Sequence, residues 1–371
     1  DLVNANTKPI ILLKCLILLP FAIKISKQKN NYTKWLLFLW ISFALNKISS
    51  CYFRGQSLAE VPFQGAFIYD FALFYLVAYI NPSVRQVEKA ITYLGIASMI
   101  IYFLQYLLLP KPIVESLTSG WRAVNDAVEF DIQRFAVTGE LIIFLYGLFS
   151  LNKYLLYKFK IDAIIVLLSF IITLLHGYRS LMLAYMFSCI LLYFKVNSFK
   201  FNKNTLGIIF IVISIIYLIN FTPIFDNVLS QISEKNTNQS ELNLLELDRV
   251  IEWNYFYDNI TKPWEWIFGA GFLGKNFTDT NLFFNWGDLG FIGLSFMGGI
   301  ILTICWIRLL CLKINDNTKK FIYLQIFFVL IILSTLVLPT AFTNKNIVIE
   351  ILAIYLGYKI NICRFRICFI K

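Results

Sequence analysis

The apolar residues of this chain fall in blocks of about 17–25 positions, the length at which a helix rising 1.5 Å per residue spans a bilayer core. Lipid offers no partner to a backbone N–H or C=O. Such blocks must therefore close their own hydrogen bonds, as helices or as strands of a sealed barrel. Barrel strands alternate in polarity, and runs such as Leu206 to Ile219 do not. Charge agrees with this reading. Only 15% of the residues are charged, against about 25% in a soluble domain.

The blocks predict an all-α, polytopic transmembrane bundle, a single membrane domain over 1–371. Spans are expected at 9–26, 33–49, 62–80, 89–109, 135–151, 161–177, 180–194, 205–222, 284–307, 321–343 and 347–362. That makes eleven, or twelve if a further span precedes Asp1. The pairs 161–177/180–194 and 321–343/347–362 read as tight hairpins.

Lys and Arg near span ends set orientation. One side receives Lys24 to Lys34, Arg85 and Lys89, Lys153 to Lys160, Lys195 to Lys203, Arg308 to Lys320, and Arg364 to Lys371. That side is predicted to be cytoplasmic, with the C-terminus on it and residue 1 opposite. The net charge of +11 thus reports topology. It does not gather on one soluble face, as a nucleic-acid partner would require. Cys15, Cys189 and Cys305 lie in apolar blocks without metal or redox spacing and read as packing residues.

Two longer loops fall on the outer side, at 110–133 and 223–283. The second is large enough for a small subdomain. From Leu242 to Ile260 its pattern turns helical, with Leu244, Leu247, Ile251 and Tyr255 at 3–4 residue spacing. Trp253, Trp264 and Trp266 suit an amphipathic helix at the headgroup level.

Ionisable residues inside apolar blocks each need a reason, because a charge at the bilayer centre costs about 2.5–3.5 kcal/mol on insertion scales. Lys14 stands near a span end and is expected to snorkel. Glu350 is a further candidate; Asp70 and Glu140 lie deeper, and for these two a helix–helix bond and a functional role are both open. Arg179 lies at an outer joint, in His176-Gly177-Tyr178-Arg179-Ser180, where its planar fork suits phosphate oxygens. A lipid-headgroup contact is the plainer alternative. His176, the single histidine, is either structural or a proton shuttle. Arg134 and Arg249 are also outer-face arginines, so three fixed positive charges stand near three helix ends. That is what a diphosphate site at the membrane surface requires. Glu129 and Asp131 are weak candidates for a cation. The sequence carries no Walker motif, Cys/His cluster or nucleophile elbow, and implies no cofactor and no metal.

These outer-face residues resemble the O-antigen polymerase and O-antigen ligase superfamily. Gly177-Tyr178-Arg179-Ser180 is similar to that family's Ser/Gly-x-Arg-Ser/Gly hairpin. Arg249-x-x-x-Trp253 follows in the large loop, then Phe268-Gly269-Ala270-Gly271 as a hydrophobic-Gly-x-Gly. Asn281-Leu282-Phe283-Phe284 and Gly287-Asp288-Leu289-Gly290-Phe291-Ile292-Gly293 resemble the family's His-Asn-x-Tyr-Leu run with its acid and glycines. Thr280 stands where the ligases carry a histidine base, which turns the resemblance toward the polymerase branch.

The resemblance implies a C-type-like glycosyltransferase of a bacterial inner membrane. It would polymerise undecaprenyl-diphosphate-linked oligosaccharide repeat units at the periplasmic face, among membrane lipids and with a chain-length regulator protein as partner. Arg134, Arg179, Arg249, Trp253, Asn281 and Asp288 would then bind diphosphate and glycan. Arg179 and Arg249 would stabilise the leaving diphosphate. Glu252, ahead of Asp279 and Asp288, would take the acceptor's proton, three residues from Arg249 on one helical face. A ligase is the alternative within the superfamily. A lipid-linked oligosaccharide flippase or other transporter is the alternative outside it. Internal repeats and broken helices would mark a transporter, and the sequence predicts neither.

Overall fold

Among the described residues the apolar blocks fold as helices. The computed structural model describes residues 8–28, 30–57, 61–63, 65–107, 128–129, 132–133, 140–176, 179–197, 248–260, 262–272, 289–312, 314, 319–336 and 346–368, with only the backbone of 8, 10, 66–67, 128–129, 132–133, 174–176, 179–180, 248–252 and 363–368. Among these residues the helices are α1 (Lys8–Ser26), α2 (Asn31–Arg54), α3 (Leu73–Ile80), α4 (Val84–Leu107), α5 (Leu141–Tyr157), α6 (Lys160–His176) and α7 (Arg179–Val196). They continue as α8 (Asp248–Asn259), α9 (Pro263–Phe268), α10 (Gly290–Gly298), α11 (Ile300–Leu310), α12 (Ile322–Thr335) and α13 (Asn346–Cys368). A two-residue antiparallel pair, Val128–Glu129 with Ile132–Gln133, is the sole strand structure described. The chain is all-α in class.

Two helices, α2 and α4, are individually long and apolar enough to cross a membrane. Large apolar side chains are exposed along further helices at helical spacing. On α1 they are Leu12, Leu13, Leu16, Ile17, Leu19 and Ile23; on α6, Ile161, Ile164, Leu167 and Ile171; on α7, Leu183, Phe187 and Ile190. On α2 the exposed row is Phe38, Ile41, Leu45, Ile48 and Tyr52. The opposite face of α2 is buried through Leu36, Leu39, Phe43 and Asn46. By contrast α5 is buried at every position from Leu141 to Ser150 and lies between α4, α6, α7 and α12.

A continuous series of contacts ties the basic helix ends together at one end of the bundle. Tyr358 on α13 bonds Gln28, and Lys359 bonds Asn81. Tyr355 donates to Pro82 O at 2.7 Å. Lys320 pairs with Glu88 on α4 at 3.7 Å and its carbonyl accepts from Asn152 at 2.7 Å. Lys153 pairs with Asp162 at 3.2 Å, and Lys319 donates to Val196 O at 2.7 Å.

Several expectations need correction. The block 284–307 is not one straight span. It breaks at Gly299 between α10 and α11, and the chain folds back there. Ser295 Oγ donates to Thr303 Oγ1 at 3.1 Å, and the Phe291 ring stands 5.6 Å from Trp306. Fifteen residues of continuous helix would separate Phe291 from Trp306 by about 22 Å. The block 62–80 is interrupted as well. It runs as 3-10 turns over Val61–Phe63 and Ala66–Ala72 before α3 begins. Of the expected span 135–151, positions 135–139 lie outside the described residues, and the described helix runs on past it, over Leu141–Tyr157. Lys14 does not snorkel: it pairs inside the bundle with Asp70, which joins α1 to the 3-10 turn ahead of α3. The expected span 205–222 lies outside the described residues.

Candidate functional site

The end of the bundle away from the basic contacts is organised around the last turns of α2. This helix ends at Arg54, where Gly55 takes a left-handed φ of 60° and stops it. Arg54 Nε lies 2.6 Å from Glu265 Oε1, and its Nη2 donates to Asn259 O. Glu265 is 2% exposed, and its Oε2 accepts from Lys262 N at 3.2 Å, capping α9. Asn259 in turn donates to Tyr255 O at 2.7 Å, within the last turn of α8. One guanidinium therefore holds the end of α8 and the start of α9 together. A planar fork with several donors can do this where a Lys ammonium cannot.

Two turns earlier on α2, Asn46 is fully buried. Its Nδ2 donates to Phe268 O at 2.7 Å and to Met297 O at 2.8 Å. These carbonyls stand in the last turns of α9 and α10, where the two chain segments cross. Ala270 N donates to Phe296 O at 2.8 Å and Gly271 N to Met297 O at 3.0 Å. The crossing is possible only because both chains carry glycine there. Gly269 has φ 84° and ψ 156°, and Gly299 has φ 89° and ψ 155°, a region open essentially to glycine. A Cβ on Gly269 would overlap Met297 O, and one on Gly299 would overlap Ile267 O. The motif Phe268-Gly269-Ala270-Gly271 is thus no free loop. It is the half of a backbone crossing that seals the break between α10 and α11. Phe272 follows, packed 6.4 Å from Phe43, and Lys47 Nζ lies 4.5 Å from the Phe43 ring and 5.4 Å from Phe272.

The helices beside this crossing carry some of the predicted site. Arg179 is the first residue of α7, which packs on α5 and α12. Arg249 and Glu252 lie in the opening turns of α8. Trp253, on the same helix, is 37% exposed and meets Phe296 of α10 edge-on at 5.6 Å. Phe256 is buried against the same ring at 5.9 Å, and Trp266 of α9 reaches it at 5.0 Å. Phe296 thus anchors α8 and α9 to the broken helix. Arg134, Asn281 and Asp288 lie outside the described residues, as do Thr280, Asp279 and Asp131.

Sequence reasoning missed Asn46, Lys47 and Arg54. The signal was present: Asn46-Lys47 interrupts an apolar block, and Arg54-Gly55 ends the helix that contains it. Glu265 was visible only as one acid among many in the large loop. The other flagged acids are engaged in the interior. Trp306 Nε1 donates to Glu350 Oε2 at 3.3 Å, and Glu140 precedes the first turn of α5, buried. No family model and no curated protein sequence matches the chain.

Proposed function

We propose that this chain is a multi-pass protein of a bacterial inner membrane, with its basic end and C-terminus in the cytoplasm, that polymerises undecaprenyl-diphosphate-linked oligosaccharide repeat units at the periplasmic face. The observation that carries the reading is the position of two arginines. Arg179 and Arg249 each stand in the first turn of a helix; α7 ends at the basic contacts, so Arg179 opens it at the other end, and the helix that Arg249 opens is held by its last turn to Arg54. A helix N-terminus carries partial positive charge and favours anions. An arginine placed there adds to that charge, and a diphosphate answers both at once. The exposed apolar rows on α1, α2, α6 and α7 support immersion in lipid, since a soluble monomer rarely leaves such faces bare.

The reaction asks little covalent help. The acceptor hydroxyl oxygen bonds to the anomeric carbon, and the bond from that carbon to the diphosphate breaks. The electron pair leaves on the lipid diphosphate. Arg179 and Arg249 stabilise that growing charge; Glu252, three residues from Arg249, receives the acceptor's proton. Arg134, Asn281 and Asp288 complete the glycan and diphosphate contacts in this reading. The break at Gly299 favours a second reading, because discontinuous helices line the substrate paths of transporters.

Purified protein in nanodiscs, given lipid-linked repeat units from the source cells, separates the readings. A ladder of lipid-linked products supports polymerisation. Transfer to a lipid A core alone would make the chain a ligase. If no new glycosidic bond forms, and labelled lipid-linked substrate crosses proteoliposome membranes, it is a transporter. Arg179→Lys and Arg249→Lys should each lower polymerisation strongly, since charge remains but the bidentate fork is lost.

A further inference from the structure

On α8 the outward face is built of residues that do not belong on a bare helix. Phe256 and Ile260 point inward, 1% and 5% exposed, while Trp253, Asn254, Tyr257 and Asp258 face outward. Trp253 and Tyr257 are one helical turn apart, so their rings follow one another at about 6 Å along the axis. Both rings are braced from below. Trp253 meets Phe296 at 5.6 Å, and Tyr257 meets Trp266 at 5.8 Å, each edge-on. The braced rings are held in place, with one side given to the protein. Arg249 occupies the next position of the same row, four residues before Trp253.

The flanking groups indicate what the rings receive. A helix made to lie on anionic lipid is rich in Lys and Arg beside its apolar face. α8 instead carries Asp248, Glu252 and Asp258 against the single base Arg249. Its outward aromatics alternate with an amide and a carboxylate. This is the pairing a sugar ring needs: an aromatic body for its C–H face and hydrogen-bonding groups for its hydroxyls. The step from Trp253 to Tyr257 is about one sugar residue long.

We propose that the outer face of α8 is a glycan-binding platform, in which Trp253 and Tyr257 stack consecutive sugar rings of an oligosaccharide while Asn254 and Asp258 bond their hydroxyls. The proposal rests on the polymerase reading in one respect: the row leads to Arg249, so the reducing end of the bound glycan lies toward the diphosphate.

The test uses free repeat-unit oligosaccharide, released from the lipid, and the full chain in nanodiscs, with binding followed by saturation-transfer NMR and by Trp fluorescence. Trp253→Ala and Tyr257→Ala should each weaken binding about fivefold, as expected for loss of one stacked ring. Tyr257→Phe should bind as the parent does. In the polymerisation assay the alanine variants should raise KM and leave kcat within twofold. Saturable binding that depends on both rings, in a protein that forms no glycosidic bond, would keep the platform and remove the polymerase reading. Polymerisation with unchanged KM and binding in both alanine variants would remove the platform and keep the polymerase. If brominated lipids quench the fluorescence that Trp253→Phe abolishes, and the free glycan binds no variant differently, the face rests on the bilayer and the proposal falls.

Discussion

The bundle is held together by two different means in two of its regions. In the packet formed by α5, α6, α7 and α12, helices meet through side chains. Tyr185 lies between Phe144 and Phe170, with ring centroids 5.2 and 5.3 Å away, and its hydroxyl is 2.6 Å from Ser169 Oγ. Where α2 meets α9, α10 and α11, the chain meets through its backbone: two glycine-bearing helix ends cross and one asparagine bonds to both. The first arrangement tolerates adjustment, because side chains can change rotamer. The second does not, because a carbonyl cannot move without its chain. The proposed site lies beside the second region, where the irregular backbone is buried by protein.

The sharpest way to break this contrast is to place a methyl in each region. Gly269→Ala and Gly299→Ala force a Cβ onto backbone atoms at a φ that only glycine adopts readily. The backbone strain alone is about 1–3 kcal/mol per site, and the overlap adds to it. We expect either variant to abolish recovery of monodisperse protein in size-exclusion chromatography. Gly55→Ala shares the positive φ but meets nothing within 4 Å, and its loss should stay at about 1–2 kcal/mol. Normal yield of Gly299→Ala would mean that α10 and α11 can join in another way.

Next in size is the Arg54–Glu265 pair. Removing one partner leaves the other charge in a site where Glu265 is 2% exposed, a loss of about 3–5 kcal/mol for a buried pair. Arg54→Ala and Glu265→Gln should both lower the midpoint of thermal unfolding in detergent. They should also expose α8 to limited proteolysis before the rest unfolds. Arg54→Lys should recover part of the midpoint and little of the α8 protection, because one ammonium cannot reach both Glu265 and the Asn259 carbonyl. Uniform proteolysis across the chain in these variants would mean that Arg54 does not hold α8.

Asn46→Leu follows. Leucine nearly matches the volume but leaves Phe268 O without its Asn46 donor, while Met297 O keeps its bond from Gly271 N. An unsatisfied buried group costs about 1–3 kcal/mol, and a proportionate fall in unfolding midpoint is expected. A variant as stable as the parent would show that water or another donor serves that carbonyl.

What could be seen in the sequence follows the same division. Hydrophobic block length located α1, α6 and α7 to within about two residues and α2, α4 and α13 to within about six, because each of these helices is apolar along most of its length. Residues 180–194 and 161–177 were placed nearly as found. The crossing was hidden because its cause is the absence of a side chain: Gly269 and Gly299 are thirty positions apart, and nothing local says that they touch. The block 284–307 carries Asn285, Asp288 and the pair Gly298-Gly299, but hydrophobic block length alone does not read a glycine pair as a fold-back. Lys14 and Asp70 were each noticed as buried charges, but pairing is a tertiary fact. The candidate site was legible as residue types, through Arg179, Arg249 and Trp253. The support beneath it, Arg54, Glu265 and Phe296, was not.

The smallest predicted effect tests the side-chain region. Gly147 lies where a Cβ would overlap the Tyr185 hydroxyl and stand 2.7 Å from Ser169 Oγ. Both obstacles are side-chain ends. Tyr185→Phe removes one of them and loses the hydrogen bond to Ser169, worth about 0.5–1.5 kcal/mol. Ser169 keeps its own acceptor, Val166 O at 2.7 Å, so no donor there is stranded and the loss should fall at the lower end. Gly147→Ala alone should destabilise more, since the tyrosine must shift within a packed site. Combined, the two substitutions should lose less than the sum of their separate effects, because the phenyl ring leaves room where the hydroxyl stood. Residues in contact deviate from additivity by about 0.5–3 kcal/mol, so the coupling is measurable by unfolding midpoints of the four proteins. At the crossing, no single side-chain substitution should relieve Gly269→Ala or Gly299→Ala in this way. An additive result at Gly147 and Tyr185, or a rescue found at the crossing, would mean that the two regions are not held by different means.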